Sequence, residues 1–148
     1  MLSIGSSAPL FSTTNQDGNT VSLANFKGQK VVLYFYPKDN TPTCTTQACN
    51  LRDNYNAFLA KGYVVLGISP DSEKSHGKFI AKHQLPFTLL VDTDAQIAQQ
   101  YGVWQLKKMM GKEYMGIVRT TFVIDEAGNI AQIINQVKSS DHATQILG

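Results

Sequence analysis

The chain holds only two cysteines in 148 residues, Cys44 and Cys49. Two are too few for a disulfide scaffold, so the core must carry the fold. Long hydrophobic runs are also missing. The longest, Val31 to Tyr36, falls far short of the ~20 residues that a membrane-spanning helix needs. The opening residues Met1-Leu2-Ser3-Ile4-Gly5 show neither the basic stretch nor the apolar core of a secretory signal. Charge of one sign is scarce: 13 Lys and Arg stand against 11 Asp and Glu, for a net charge of +2. That balance gives no reason to expect a nucleic-acid or charged-surface partner. Repeats, low-complexity tracts and linker-like shifts are absent as well. A cytoplasmic protein of one domain, residues 1–148, without a membrane or nucleic-acid partner is the expectation. Its 43% hydrophobic and 16% charged residues suit an ordinary globular core of that length.

The element pattern is alternating. Leu10 to Leu23 reads as a hairpin about the turn Asp17-Gly18-Asn19. Val31 to Tyr36 is continuous and apolar, the mark of a strand buried on both faces, and Pro37 ends it. A helix is predicted from Cys44 to Lys61, closed by Gly62. A strand at Tyr63–Ser69, a helix near Ser72–His83, a strand at Phe87–Val91 and a short helix at Asp94–Tyr101 follow. Asp94 is read as the N-cap of that helix. Thr121–Asp125 and Ile130–Val137 form a second hairpin, and Ser139 or Ser140 caps a last helix reaching Leu147. The stretch from Trp104 to Met115 is read as a loop. Its lysines Lys107, Lys108 and Lys112 are taken as solvated, and Trp104, Met109, Met110, Tyr114 and Met115 as a satellite core beneath the loop ahead of the alternative, a contact surface for a partner or substrate. The order implies an α/β fold with a mixed central sheet flanked by helices.

The chemistry centres on Cys44. A cysteine at a helix N-terminus meets free N–H groups and the positive end of the helix dipole, which favour a thiolate. Thr41, three residues earlier, can bring a hydroxyl to the same pocket. Pro37 and Pro42 stiffen the loop and remove N–H groups that need partners. On a helical wheel Ala48, Leu51, Tyr55, Phe58 and Leu59 share one face, and Cys44 points to that side. Cys49 lies about 140° around the axis, with its Cα about 8.6 Å from that of Cys44. A disulfide needs less than about 7 Å. A bond between the two therefore requires the start of the helix to unwind.

Two bland readings compete. A buried cysteine is often a small hydrophobe. Two cysteines can also be half a zinc site, with the rest drawn from His76, His83 and His142.

Pro37, Thr41 and Cys44 stand in the pattern P-x-x-x-T-x-x-C, with Cys49 five positions on. A second block runs Gly116-Ile117-Val118-Arg119-Thr120-Thr121-Phe122-Val123-Ile124-Asp125, preceded by Tyr101-Gly102-Val103-Trp104. On these motifs the chain resembles the peroxiredoxins, and among them the bacterioferritin comigratory, or peroxiredoxin Q, subfamily. The resemblance runs from about Gly5 to Val137. It implies a thioredoxin-like fold with an added N-terminal β-hairpin, and reduction of hydrogen peroxide and organic hydroperoxides. It further implies that Cys44 attacks the peroxide and becomes a sulfenic acid. Arg119, Thr41 and the backbone N–H groups of residues 43 and 44 would hold the peroxide oxygens. Cys49 would then form an intrachain disulfide with Cys44, reduced in turn by thioredoxin or a similar dithiol. No metal or organic cofactor is implied, and the intrachain partner lets a monomer complete the cycle. Two residues depart from the subfamily: Thr43 stands where glycine is usual, and Gln47 where glutamate is usual. The second change removes a negative charge near Cys44. Two other functions use the same pair, a disulfide exchanger and a redox sensor. The first usually has C-x-x-C spacing, which this chain lacks.

Overall fold

The computed structural model describes residues 2–148. Its centre is a five-stranded mixed sheet in the order β5-β4-β3-β8-β9. The strands are β3 (Lys30–Phe35), β4 (Tyr63–Ser69), β5 (Thr88–Val91), β8 (Thr120–Ile124) and β9 (Ile130–Ile134). β3 pairs parallel with β4 and antiparallel with β8, so it is the middle strand. Its side chains alternate between two cores. Val31, Leu33 and Phe35 enter one, Val32 and Tyr34 the other, and Tyr36 just beyond the strand joins the second. The unbroken apolar run has that cause: a strand buried on both faces has no polar side to write.

The helices divide unequally between the faces. Cys44, Ala48 and Leu51 of α1 (Pro42–Asp53), Phe58 of α2 (Tyr55–Ala60), Phe79 of α3 (Glu73–His83) and Ile146 of α5 (His142–Leu147) pack on the face of Tyr34. α4 (Gln96–Gln100) covers the other face with Ala8, Phe11 and Leu23 of the N-terminal segment. The N-terminal hairpin is there, as β1 (Ser12–Thr14) and β2 (Thr20–Ser22). Its turn is built on Asn15, whose Oδ1 accepts from the N–H groups of Asp17 and Asn19. Gly18 takes φ 79° in that turn, a conformation that a side chain would strain.

Four expectations change. The helix predicted over 44–61 is two helices, starting earlier and breaking at Asn54 (φ −110°, ψ 13°). The Asn54 amide donates to the carbonyl of Asn50, so a side chain competes with the helical ladder. α4 is capped by Asp92 and not Asp94: the two Asp92 carboxylate oxygens accept from the N–H groups of Ile97 and Ala98. Burial nevertheless pushes the Asp92 carboxyl upward, and those two bonds pull against it. The last helix begins after a 3₁₀ turn at Ser139–Asp141, and neither serine caps it; Asn50 Oδ1 of α1 accepts from Ala143 N–H in its first turn instead.

The supposed loop at 104–115 is a hairpin, β6 (Trp104–Met109) with β7 (Lys112–Ile117). Met110 and Gly111 both have positive φ, 53° and 79°, as a two-residue turn of the primed type demands. Leu106, Met109, Met110, Tyr114 and Met115 are exposed on it. The satellite-core reading therefore fails for Met109, Met110, Tyr114 and Met115, while Trp104 is partly buried against the main core.

His142 is buried at the start of α5. Its Nε2 meets the Thr121 hydroxyl at 2.7 Å and its Nδ1 meets Gln145 Oε1 at 2.8 Å. Burial lowers its pKa below the usual 6.5; the Gln145 bond opposes this and the charge of Arg119 adds to it. The folded chain thus resists a proton that the unfolded chain accepts. Stability held above about pH 6.5 is lost as pH falls below it. The urea midpoint should drop between pH 7.5 and 5, and His142→Gln should flatten that drop. Equal slopes in both proteins would remove His142 as the cause.

Candidate active site

β3 delivers the chain to the middle of the sheet's C-terminal edge, where ligands gather in open α/β folds. There Tyr36 to Thr41 turn sharply, with Asn40 at φ 62°, and α1 begins. Thr41 is the N-cap in extended conformation, and Pro42 opens the helix. Thr45 N–H already bonds the Thr41 carbonyl at 2.9 Å. Pro42 has no N–H to satisfy, and no side chain caps the helix. The N–H groups of Thr43 and Cys44 are the donors left at this end.

Cys44 and Arg119 meet here across 75 residues. Arg119 Nη2 donates to Cys44 Sγ at 3.3 Å, and its Nη1 donates to Gln47 Oε1 at 2.7 Å. The backbone either side of Arg119 is pinned. Val118 N–H bonds the Val103 carbonyl, Lys107 Nζ bonds the Ile117 carbonyl, and the Thr120 hydroxyl bonds the Val118 carbonyl. The guanidinium is therefore aimed by two strands and the link between them. Gln47 is fully buried and carries no charge, so it orients Arg119 without neutralising it. A glutamate there would compete with the sulfur for the same cation.

Thr41 lies in the same loop, and its hydroxyl proton goes to the Lys38 carbonyl at 2.8 Å. Its oxygen is left to act as an acceptor rather than a donor. Pro37 is half-buried at the start of the loop. Both cysteines are free thiols; Cys44 is buried and Cys49 half-buried.

Tyr34 is buried in the same core cluster as Cys44. Burial, then the charges of Cys44 and Asp39, push its hydroxyl well above the ordinary value of 10, so it stays protonated. Its ring lies against Gly67 of β4, where an added Cβ would come within 2.8 Å of it. Gly67 therefore makes the space for this tyrosine. Tyr34 Oη and Gln47 Nε2 are buried polar atoms without a hydrogen-bond partner. Both belong to residues at the Cys44 end of the sheet.

A further network steadies the loop and was not legible in the sequence. Asp39 is buried between Pro37 and Thr41. It accepts from the Tyr36 hydroxyl at 2.6 Å and the Ser75 hydroxyl at 2.8 Å, and its Oδ2 lies 2.8 Å from His76 Nδ1. His76 Nε2 lies 2.8 Å from the Leu90 carbonyl. Asp39 N–H donates to Asp71, which also accepts from Ser69. The loop is thus tied to α3 and two strands. Asp39, Asp71 and His76 come within 4.8 Å of one another, and each is engaged in these bonds. The four-ligand zinc reading fails on geometry: His76 and His142 serve separate networks, and only His83 approaches a cysteine.

That cysteine is Cys49. Its Sγ lies 4.0 Å from His83 Nδ1. The prediction that Cys49 turns outward is therefore half right: it leaves the sheet face but lies against the end of α3.

Residues 4–133 match the AhpC/TSA family. The chain is 49% identical to peroxiredoxin Bcp of Bacillus subtilis over 99% of its own length and 93% of that protein. It is 47% identical to peroxiredoxin Bcp of Escherichia coli K12, over 99% and 94%. Among solved structures, a peroxiredoxin Q from Xylella fastidiosa superposes with TM-score 0.93 at 33% identity, covering 99% of this chain and 94% of the other. A bacterioferritin comigratory protein from Xanthomonas campestris, studied for its alkyl peroxide reduction activity, superposes with TM-score 0.87 at 35% identity over 93% and 87%. The chain belongs to the AhpC/TSA family, on the thioredoxin-like fold described above. Within that family its relatives are peroxiredoxins of the Bcp or Q type, and its activity is that of a thiol-dependent peroxidase acting on peroxides with a thiol reductant. Among the described residues, no helix is long and apolar enough to cross a membrane.

Proposed function

We propose that Cys44 is the peroxidatic residue and Cys49 its resolving partner, in a cycle completed within one chain. The observation that carries this is the Arg119 guanidinium donating to Cys44 Sγ at the uncapped start of α1. A thiolate there attacks the terminal peroxide oxygen, and the O–O bond breaks. Sulfur gains the hydroxyl as a sulfenic acid, and the other oxygen leaves as an alkoxide or hydroxide that takes up a proton. Arg119 and the N–H groups of Thr43 and Cys44 offset the negative charge on the departing oxygen. Thr41, its proton committed to Lys38, accepts the hydrogen of the incoming hydroperoxide and so orients it. Pro37 shapes the loop that carries both residues.

The sulfenic acid then condenses with the Cys49 thiol to a disulfide and water. Thioredoxin or a similar dithiol reduces that disulfide by exchange. A monomer in the cytoplasm, folded as one domain, suffices for every step. With both cysteines inside α1, the disulfide requires its first turns to open.

One equivalent of hydrogen peroxide should convert the reduced protein to an intrachain Cys44–Cys49 disulfide. Cys49→Ser should stop at a sulfenic acid on Cys44 that dimedone traps. Amide exchange over residues 44–50 should speed up in the disulfide form while β3 stays protected. A wild-type protein that forms no such disulfide, or keeps equal protection over 44–50, refutes the assignment.

A further inference from the structure

We propose that His83 is the general base that activates Cys49 for disulfide formation. The inference rests on the role of Cys49 given above. Cys49 Sγ and His83 Nδ1 are 4.0 Å apart, within reach of an S–H to nitrogen hydrogen bond. His83 occupies the last turn of α3, where the helix dipole favours a positive charge, so a proton taken from Cys49 is accommodated there.

The surroundings hold this pair together during the step. Arg52 Nη1 donates to the His83 carbonyl at 2.8 Å and ties α1 to the end of α3. Asn50 Nδ2 donates to the Ser140 carbonyl at 3.0 Å, and Asn50 Oδ1 accepts from Ala143 N–H at 2.8 Å. α1 is therefore anchored to neighbouring elements immediately after Cys49. Before Cys49, the first turns hold to the rest of the protein through Arg119, on Cys44 and Gln47. Once Cys44 is a neutral sulfenic acid, the charge holding it to Arg119 is gone. Cys44 is thus the sulfur that travels, and Cys49 waits beside its base.

In the step itself, His83 Nδ1 takes the Cys49 proton. The Cys49 thiolate forms a bond to the Cys44 sulfur as the S–O bond of the sulfenic acid breaks. The departing hydroxide takes a proton back from His83 and leaves as water, so no outside oxidant enters. The other groups around the pair are Arg52 and its partner Asp53 on α1, Phe79 and Lys82 on α3, and Tyr34 on β3, which feels the Cys49 charge. None of these offers a neutral nitrogen to Cys49.

The test separates the two half-reactions in a single turnover with one equivalent of hydrogen peroxide. Peroxide consumption reports the first, and mass spectrometry of rapidly alkylated samples reports disulfide formation. His83→Gln should leave peroxide consumption unchanged and slow disulfide formation roughly tenfold near pH 7. The gap should narrow as the solution is made alkaline, where hydroxide takes over the work of the base. Added imidazole should restore the rate of His83→Ala. An unchanged rate at pH 7, or a loss that is equal at every pH and indifferent to imidazole, overturns the proposal. If disulfide formation ignores His83 while Cys49→Ser still traps the sulfenic acid, the base fails and the resolving role of Cys49 stands. If the wild type forms no Cys44–Cys49 disulfide, the role of Cys49 fails with it.

Discussion

Cys44→Ser should abolish peroxide turnover, a loss on the order of 10⁴-fold or more. The loss is chemical rather than structural. Cys44 is only 2% exposed and packs with Ala48 and Leu51 against the sheet. Serine is slightly smaller and can still accept from Arg119, so the fold has little reason to change. A serine hydroxyl, however, does not ionise near neutral pH, and its oxygen does not displace an alkoxide from a peroxide bond. Everything else around it, including Arg119, Thr41 and the free N–H groups of α1, stays in place and has no nucleophile to serve. The measurement is peroxide consumption by the reduced protein, first in one turnover and then with a dithiol reductant in excess. An unfolding midpoint close to that of the wild type must accompany the loss. Substantial turnover by Cys44→Ser would transfer the chemistry to another residue, and Cys49 alone would be left to carry it.

Physical reasons divide what the sequence could disclose from what it could not. β4 is legible to the residue because Gly62 and Pro70 bracket a β-rich run. β3 is legible because burial on both faces writes an unbroken apolar run. The β6–β7 hairpin is not, because its exposed faces carry methionine and leucine where alternation calls for polar residues. Its turn also puts Met110 at a positive φ instead of the usual asparagine or aspartate. The break at Asn54 lies in the run Asp53-Asn54-Tyr55-Asn56, poor in helix formers, and was hidden by apolar periodicity that continues through it. The loop from Pro37 to Cys44 is local, so its motif is visible along the chain. Arg119 is 75 residues from Cys44, and only a resemblance joins the two in advance. Asp39 and His76, or Cys49 and His83, have no such signal. Their pairing depends on how α3 packs beside α1, which no spacing in the chain encodes.

Arg119→Ala should slow the reaction of the reduced protein with peroxide by about 10²- to 10³-fold, the scale for removing an aimed donor from a developing anion. Arg119 does two things at once. It donates to the Cys44 sulfur, and it keeps a full positive charge where the leaving oxygen becomes negative. The neutral Gln47 partner matters for the second, because it holds the guanidinium at 2.7 Å without cancelling its charge. Alanine also strips Gln47 Oε1 of its donor, beside an Nε2 that already lacks a partner. Leaving such an atom unpaired costs about 1–3 kcal/mol, so some stability is lost too. Arg119→Lys separates these effects. Lysine keeps the charge but not the two-pronged fork that reaches sulfur and amide together, so its rate should fall between those of alanine and the wild type. Both variants should form the disulfide normally once oxidised, because Arg119 touches Cys44 and Gln47 but makes no hydrogen bond to Cys49 or His83. Arg119 and His83 should therefore sort into opposite halves of the cycle, one slowing oxidation and the other slowing resolution. Unchanged oxidation kinetics in Arg119→Ala would remove Arg119 from the peroxide site, and an equal slowing of both halves would make its role one of folding alone.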